Sequence, residues 1–131
     1  GKTERCSIYK VGPVTLVSHG MGVPSLSIMM NEIIKVMRYA GADNPSFIRI
    51  GTSGGVGVKP GTAVITSHGI SAMLEAKLQH VECGKVVEYT TEADEGLVGG
   101  LLAMAQKLGV TAEKGATMCA DDFFEGQGRL D

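Results

Sequence analysis

Tryptophan is absent from this 131-residue chain, and phenylalanine and tyrosine together make up 5% of it. The twelve Lys and Arg are scattered among fourteen Asp and Glu, for a net charge of −2. With neither a basic stripe nor a stacking-aromatic pattern, nucleic acid is excluded as a partner. There are three cysteines, Cys6, Cys83 and Cys119, an odd number with no C-x-x-C pair. That excludes a disulfide framework and argues against a zinc site, so no metal is expected and the three read as reduced thiols of an intracellular protein. No apolar run approaches the roughly 18 residues that a bilayer-spanning helix requires. The opening "GKTERCSIYK" also lacks the apolar segment of a secretory signal. The expected partners are therefore neither membrane nor nucleic acid, and the expected compartment is the cytoplasm.

What the chain has in excess is glycine. Its 19 glycines are about twice the usual share of roughly 7%. They gather around 20–22, 51–61, 96–100 and 126–128, which marks turns rather than low complexity. Between them, "VGPVTLVSHG" alternates and predicts a strand over Val14 to Ser18. Leu26, Met29, Met30, Ile33, Met37 and Ala40 recur at helical spacing after Pro24, and Gly41 marks the stop. A strand from Ser46 to Gly51 would complete a strand–helix–strand crossover between parallel strands. "TAVITSHGIS" (62–71) predicts a third strand and "KVVEYTT" (85–91) a short one on the rim. Leu97, Val98, Leu101, Leu102, Ala105 and Leu108 predict a second helix ending at Gly109. Its glycines 96, 99 and 100 either weaken it or let it pack closely on the sheet. "GATMCADDFF" (115–124) predicts the last strand. With no repeat and no linker, residues 1–131 read as a single partial α/β domain. Residues 1–10 look like a lead-in without an opening element, and the polar end stands where a helix is expected, so N-terminal and C-terminal parts are expected beyond both ends.

The stretch "FIRIGTSGGVG" (47–57) breaks the pattern of a buried strand and turn. Arg49 interrupts the apolar run, and Thr52 and Ser53 place hydroxyls on the turn. By pattern alone, Gly51 to Gly55 is the G-x-S-x-G elbow of α/β-hydrolases, with "HGMG" (19–22) in the role of an oxyanion loop. An elbow opens into a helix, however, whereas "VGVKPGTAVIT" reads as turn and strand. A dinucleotide or P-loop fingerprint is missing as well. What fits is an anion site, in which bare amides of a glycine turn form a donor surface and a strand arginine adds fixed charge. A buried arginine without a counter-charge is costly, so the alternatives are a bound anion or an internal salt bridge to a carboxylate such as Glu32 or Asp122.

A second constellation lies in "DDFFEGQGRLD". Gln127 and Arg129, two apart in an extended segment, point the same way. Gln offers a donor and an acceptor, and Arg offers a planar fork of donors. Together they suit a flat heterocycle of alternating carbonyls and N–H groups, with Phe123 available to stack. A solvated surface loop is the plainer alternative. His19, His68 and His80 read as turn or surface histidines, and the methionines as core.

With these residues in view, "IYKVGPV", "SHGMGVPSLSIMMNEIIK", "IRIGTSGGVGVKPGTAVIT" and "TMCADDFFEGQGRLD" resemble the uridine phosphorylases of animals, within the nucleoside phosphorylase family. The resemblance covers nearly the whole chain and is weakest over about 72–112. It implies an α/β, nucleoside-phosphorylase-like three-layer fold around a mixed, twisted central sheet, present here in part. It also implies reversible phosphorolysis of uridine to uracil and ribose 1-phosphate, with phosphate as a substrate and no cofactor. By resemblance, Arg49 and Thr52 bind phosphate, with Thr52 also near the ribose. Arg5 reaches the phosphate of the neighbouring subunit in a homodimer. Gln127 and Arg129 read uracil beside Phe123, and Arg49, Thr52 and Arg129 carry the catalysis. "SHGMGVPS" takes a supporting role. The family's first phosphate arginine and glycine loop, its ribose-holding Glu-Met-Glu segment and a histidine lent across the dimer have no counterpart in these residues. A nucleosidase or purine nucleoside phosphorylase of the same fold, or a truncated non-catalytic chain, remain the alternatives.

Overall fold

A two-residue turn opens the fold. Ile8–Val11 (β1) and Val14–Val17 (β2) pair antiparallel with Val11 opposite Val14, so the loop is Gly12–Pro13 alone. Gly12 takes φ 54° and proline fixes a negative φ after it, the glycine-first order of a type II′ hairpin. The computed structural model describes residues 6–122 and 124. Its chain divides into two units, Gly1–Gly51 and Thr52–Asp131.

In the first unit, Val23–Tyr39 form helix α1, with proline in its first turn and Gly22 at φ 88° as the N-cap. Gly41, at φ 74°, ends it, its N–H donating to the Arg38 carbonyl at 3.1 Å. The expected stripe holds up to its last member: Ile33 is buried and Leu26, Met29, Met30 and Met37 are half-buried, whereas Ala40 is the exposed C-cap. Two expectations fail. Ile8–Val11 form a strand where only a lead-in was expected, and β2 pairs antiparallel with it rather than parallel across α1. Ser46–Gly51 is no strand either, because a strand exists only where a ladder partner satisfies its amides, and the described residues supply none. Phe47, Ile48 and Ile50 accordingly stay 42%, 55% and 88% exposed.

The second unit holds the parallel crossover. Ala63–Ile70 (β3) and Ala112–Met118 (β6) pair in parallel from Ala63↔Ala112 to Ile70↔Met118, with a register shift between Thr66 and His68. Between them in sequence come Lys77–Glu82 (β4) and Lys85–Thr90 (β5), an antiparallel hairpin, and helix α2, Glu95–Leu108. The last strand begins and ends earlier than expected because its register follows β3. Cys83 and Gly84 connect the hairpin at φ 50° and 80°, both left-handed as a type I′ turn demands. The Asp94 carboxylate caps α2 by accepting from Leu97 N–H at 2.8 Å, and Gly109 closes it at φ 68°. Val98 is its buried anchor, at 6% exposure. Among the described residues a Cβ on Gly99 or Gly100 would meet nothing within 4 Å, so no close packing there requires these glycines, which weaken the helix.

Among the described residues the strands thus form three two-stranded ladders, of parallel and antiparallel pairing, in an α/β chain. Among the described residues, no helix is long and apolar enough to cross a membrane.

Candidate phosphate-binding site

Arg49 and Gly51 stand two apart, and the Arg49 side chain lies over Gly51. A Cβ built on Gly51 would sit 3.1 Å from Nη1 and 3.4 Å from both Cζ and Nη2. The guanidinium therefore rests against a backbone that only glycine leaves bare. Arg49 also meets His19: its Nε–H donates to His19 Nε2 at 3.4 Å. His19 is itself tied to the start of α1, since the Ser25 hydroxyl donates to its carbonyl. Gly20 (φ 75°) and Gly22 (φ 88°) bend the chain between them, which is why "SHGMGVPS" needs both glycines.

The expected cost of burying Arg49 does not arise. Arg49 is exposed, so no burial cost obliges a counter-ion. An internal salt bridge to Glu32, one of the two alternatives, is not formed; Glu32 lies 3.6 Å from Lys35 instead. Among the described residues Arg49 forms no ion pair.

Thr52 opens the turn of the second unit and is exposed, as are Ser53 to Gly57. Among the described residues, the amides of 52–57 make no backbone hydrogen bond, which leaves them as donors. Gly55 cannot carry a side chain as the turn stands, because a Cβ would lie 2.7 Å from Val58 Cγ2. No helix follows; the next element is β3 at Ala63, so Ser53 has no elbow geometry. Arg5, Phe123, Gln127 and Arg129 lie outside the described residues.

His19, which reads in the sequence as a turn or surface histidine, meets Arg49. Its position before a glycine turn and a helix start was visible, but its partner lies 30 residues away. His68 sits half-buried at the β3 register shift, its Nδ1 3.0 Å from Ser67 Oγ. With Glu92, Glu95 and Lys114 it lines a cleft of ≈ 580 Å³ that contains none of the expected site residues. His80 packs edge-on to Tyr89 at 6.2 Å. The perturbed titrations belong to the β4–β5 hairpin. Lys77 is raised by hydrogen bonds to Glu88 and Glu75, Glu88 is lowered chiefly by Lys77, and Tyr89 is raised chiefly by its hydrogen bond to Glu82.

A family model described as the phosphorylase superfamily matches residues 1–130. "Uridine and thymidine phosphorylase" of Caenorhabditis elegans is 48% identical over 130 residues, covering 99% of this chain and 44% of its own length. "Uridine phosphorylase 1" of Mus musculus is 45% identical over 130 residues, covering 98% of this chain and 42% of its own. The crystal structure of uridine phosphorylase from Schistosoma mansoni in complex with thymine matches with a TM-score of 0.92 at 41% identity, covering 100% of this chain and 47% of that one. The chain thus spans less than half the length of these relatives. With a family model matching all but its last residue, the chain belongs to the phosphorylase superfamily.

Proposed function

We propose that the full-length protein carrying this segment is a uridine phosphorylase, converting uridine and phosphate reversibly to uracil and ribose 1-phosphate. The observation that carries this reading is the likeness, over nearly the whole segment, to proteins named for that activity. Residues 1–131 would then be part of one nucleoside phosphorylase domain. Arg49 and Thr52 bind phosphate, supported by an exposed guanidinium that forms no ion pair among the described residues and by the exposed turn 52–57 that follows it in sequence. Arg5 of the neighbouring subunit completes that pocket in a homodimer, and Thr52 also approaches the ribose. Gln127 and Arg129 read uracil, with Phe123 as the wall beside it. These three follow β6 in sequence.

The mechanism follows from the residue types. A phosphate oxygen attacks the anomeric carbon as the bond to the base breaks, through an oxocarbenium-like transition state. The electron pair of that bond moves onto uracil, where Arg129 stabilises the growing charge. Arg49, Thr52 and Arg5 hold the nucleophile in line. Phosphate supplies the attacking oxygen, so neither a protein nucleophile nor a cofactor is required, and the expected compartment is the cytoplasm. In the full-length protein, Arg129→Ala lowers kcat, because its contact strengthens in the transition state. Gln127→Ala relaxes discrimination against cytidine and purine nucleosides. Wild-type rates and preferences in both variants would refute the pyrimidine reading.

A further inference from the structure

His19 offers Arg49 something that a carboxylate cannot. An arginine Nε always carries its proton, so in the 3.4 Å contact His19 Nε2 must be the acceptor. The imidazole is then neutral, with its proton on Nδ1, and Nδ1 is buried without a hydrogen-bond partner among the described residues. A carboxylate at the same place would orient the guanidinium but cancel its charge. A neutral nitrogen orients it and leaves the full positive charge for a ligand. The contact also occupies the Nε side of the fork, while Gly51 sits under Nη1 and Nη2. The edge left for a ligand is the Nη1–Nη2 edge, which presents two parallel donors to two oxygens of one anion. His19 is fixed for this task from behind, its carbonyl held by the Ser25 hydroxyl at the first turn of α1.

We infer that His19 is a positioning residue, a neutral imidazole that aims Arg49 end-on at phosphate. The inference rests on the phosphate role proposed for Arg49 and adds to it a requirement for a neutral acceptor at residue 19. Other contributions to the rate, from the base-reading residues, do not depend on it.

The test uses the full-length protein and steady-state kinetics with uridine and inorganic phosphate. In His19→Leu, which fills similar space without an acceptor, the phosphate KM rises about tenfold, while the uridine KM stays within about twofold. In His19→Gln the side-chain carbonyl can accept from Nε, and the phosphate KM returns to within about threefold of wild type. Leu and Gln variants that are equally impaired would make His19 a structural turn residue, and an unimpaired Leu variant would remove its role altogether. Either result overturns the inference while leaving the phosphorylase reading standing. If the wild-type protein cleaves uridine without phosphate, both fall together. The tautomer provides a check that does not depend on a variant folding. Nitrogen-15 spectra of the wild-type protein should show the His19 proton on Nδ1, and a proton on Nε2 would overturn the inference.

Discussion

Gly51→Ala is an informative single perturbation, because its backbone gives it no reason to be glycine. Gly51 is not among the glycines with positive φ, so alanine meets no left-handed strain there. What the new methyl meets is the Arg49 guanidinium, at 3.1 Å from Nη1 and 3.4 Å from Cζ and Nη2. Ordinary carbon–nitrogen contacts are longer, so the guanidinium must retreat by a few tenths of an ångström. A charge-assisted hydrogen bond is worth roughly 1.5–3 kcal/mol, and such a displacement removes part of it. The expected loss in phosphate affinity is about 1 kcal/mol, or roughly fivefold. Arg49→Ala should lose about 2 kcal/mol or more. The assay is the phosphate KM of the full-length protein, measured for the two single variants and the double variant. If the methyl acts through Arg49, then adding Gly51→Ala to Arg49→Ala changes almost nothing further, and the cycle shows a coupling of about 1 kcal/mol. An equal effect of Gly51→Ala in both backgrounds would refute the steric reasoning and assign the loss to the turn itself.

Three further outcomes follow from other parts of the chain. Cys83→Asn should stabilise the β4–β5 hairpin by about 1 kcal/mol, because asparagine tolerates the left-handed φ of 50° better than cysteine does; an unchanged melting temperature would contradict it. Glu88 is lowered by Lys77, at 2.9 Å, so its contribution is complete above its ordinary value of 4.5 and is lost as the pH falls through its folded value. Lys77 is raised, so its share is complete below 10.5 and is lost as the pH rises through its folded value. Thermal melts from about pH 6 to about pH 3 should show a smaller acid loss in Glu88→Gln than in wild type, and identical slopes would refute the pairing. Full-length Arg5→Ala and Arg49→Ala subunits should each be nearly inactive alone. Mixed, they should recover up to roughly half the activity per heterodimer, because one site then carries both lesions and the other neither. No recovery after confirmed subunit exchange would place Arg5 outside the partner's site.

The elements legible in the sequence were those whose signal is local. α1 declared itself by a withdrawn face at Leu26, Met29, Met30, Ile33 and Met37, with Gly41 as its stop. β3 and α2 had comparably self-contained patterns. β4 went unread because its residues "KLQHVE" alternate weakly, and its turn is Cys-Gly instead of the usual Asn-Gly or Asp-Gly. Ser46–Gly51 had a strand's composition, but a strand also needs a neighbour, and composition says nothing about whether one is present. The site divides in the same way. Arg49 stood out as a cation beside a glycine turn, and Gly51 as part of that turn. That Gly51 accommodates the guanidinium, and that His19 holds it, are contacts across space that no spacing rule encodes.

The central claim is that Arg49 and the turn after it serve phosphorolysis of a pyrimidine nucleoside. The most direct measurement incubates the full-length protein with uridine, with and without inorganic phosphate, and identifies both products. Uracil and ribose 1-phosphate are expected in equal amounts, with cleavage that requires phosphate and falls away at limiting phosphate in Arg49→Ala. Free ribose as the sugar product, or cleavage indifferent to phosphate, would contradict it.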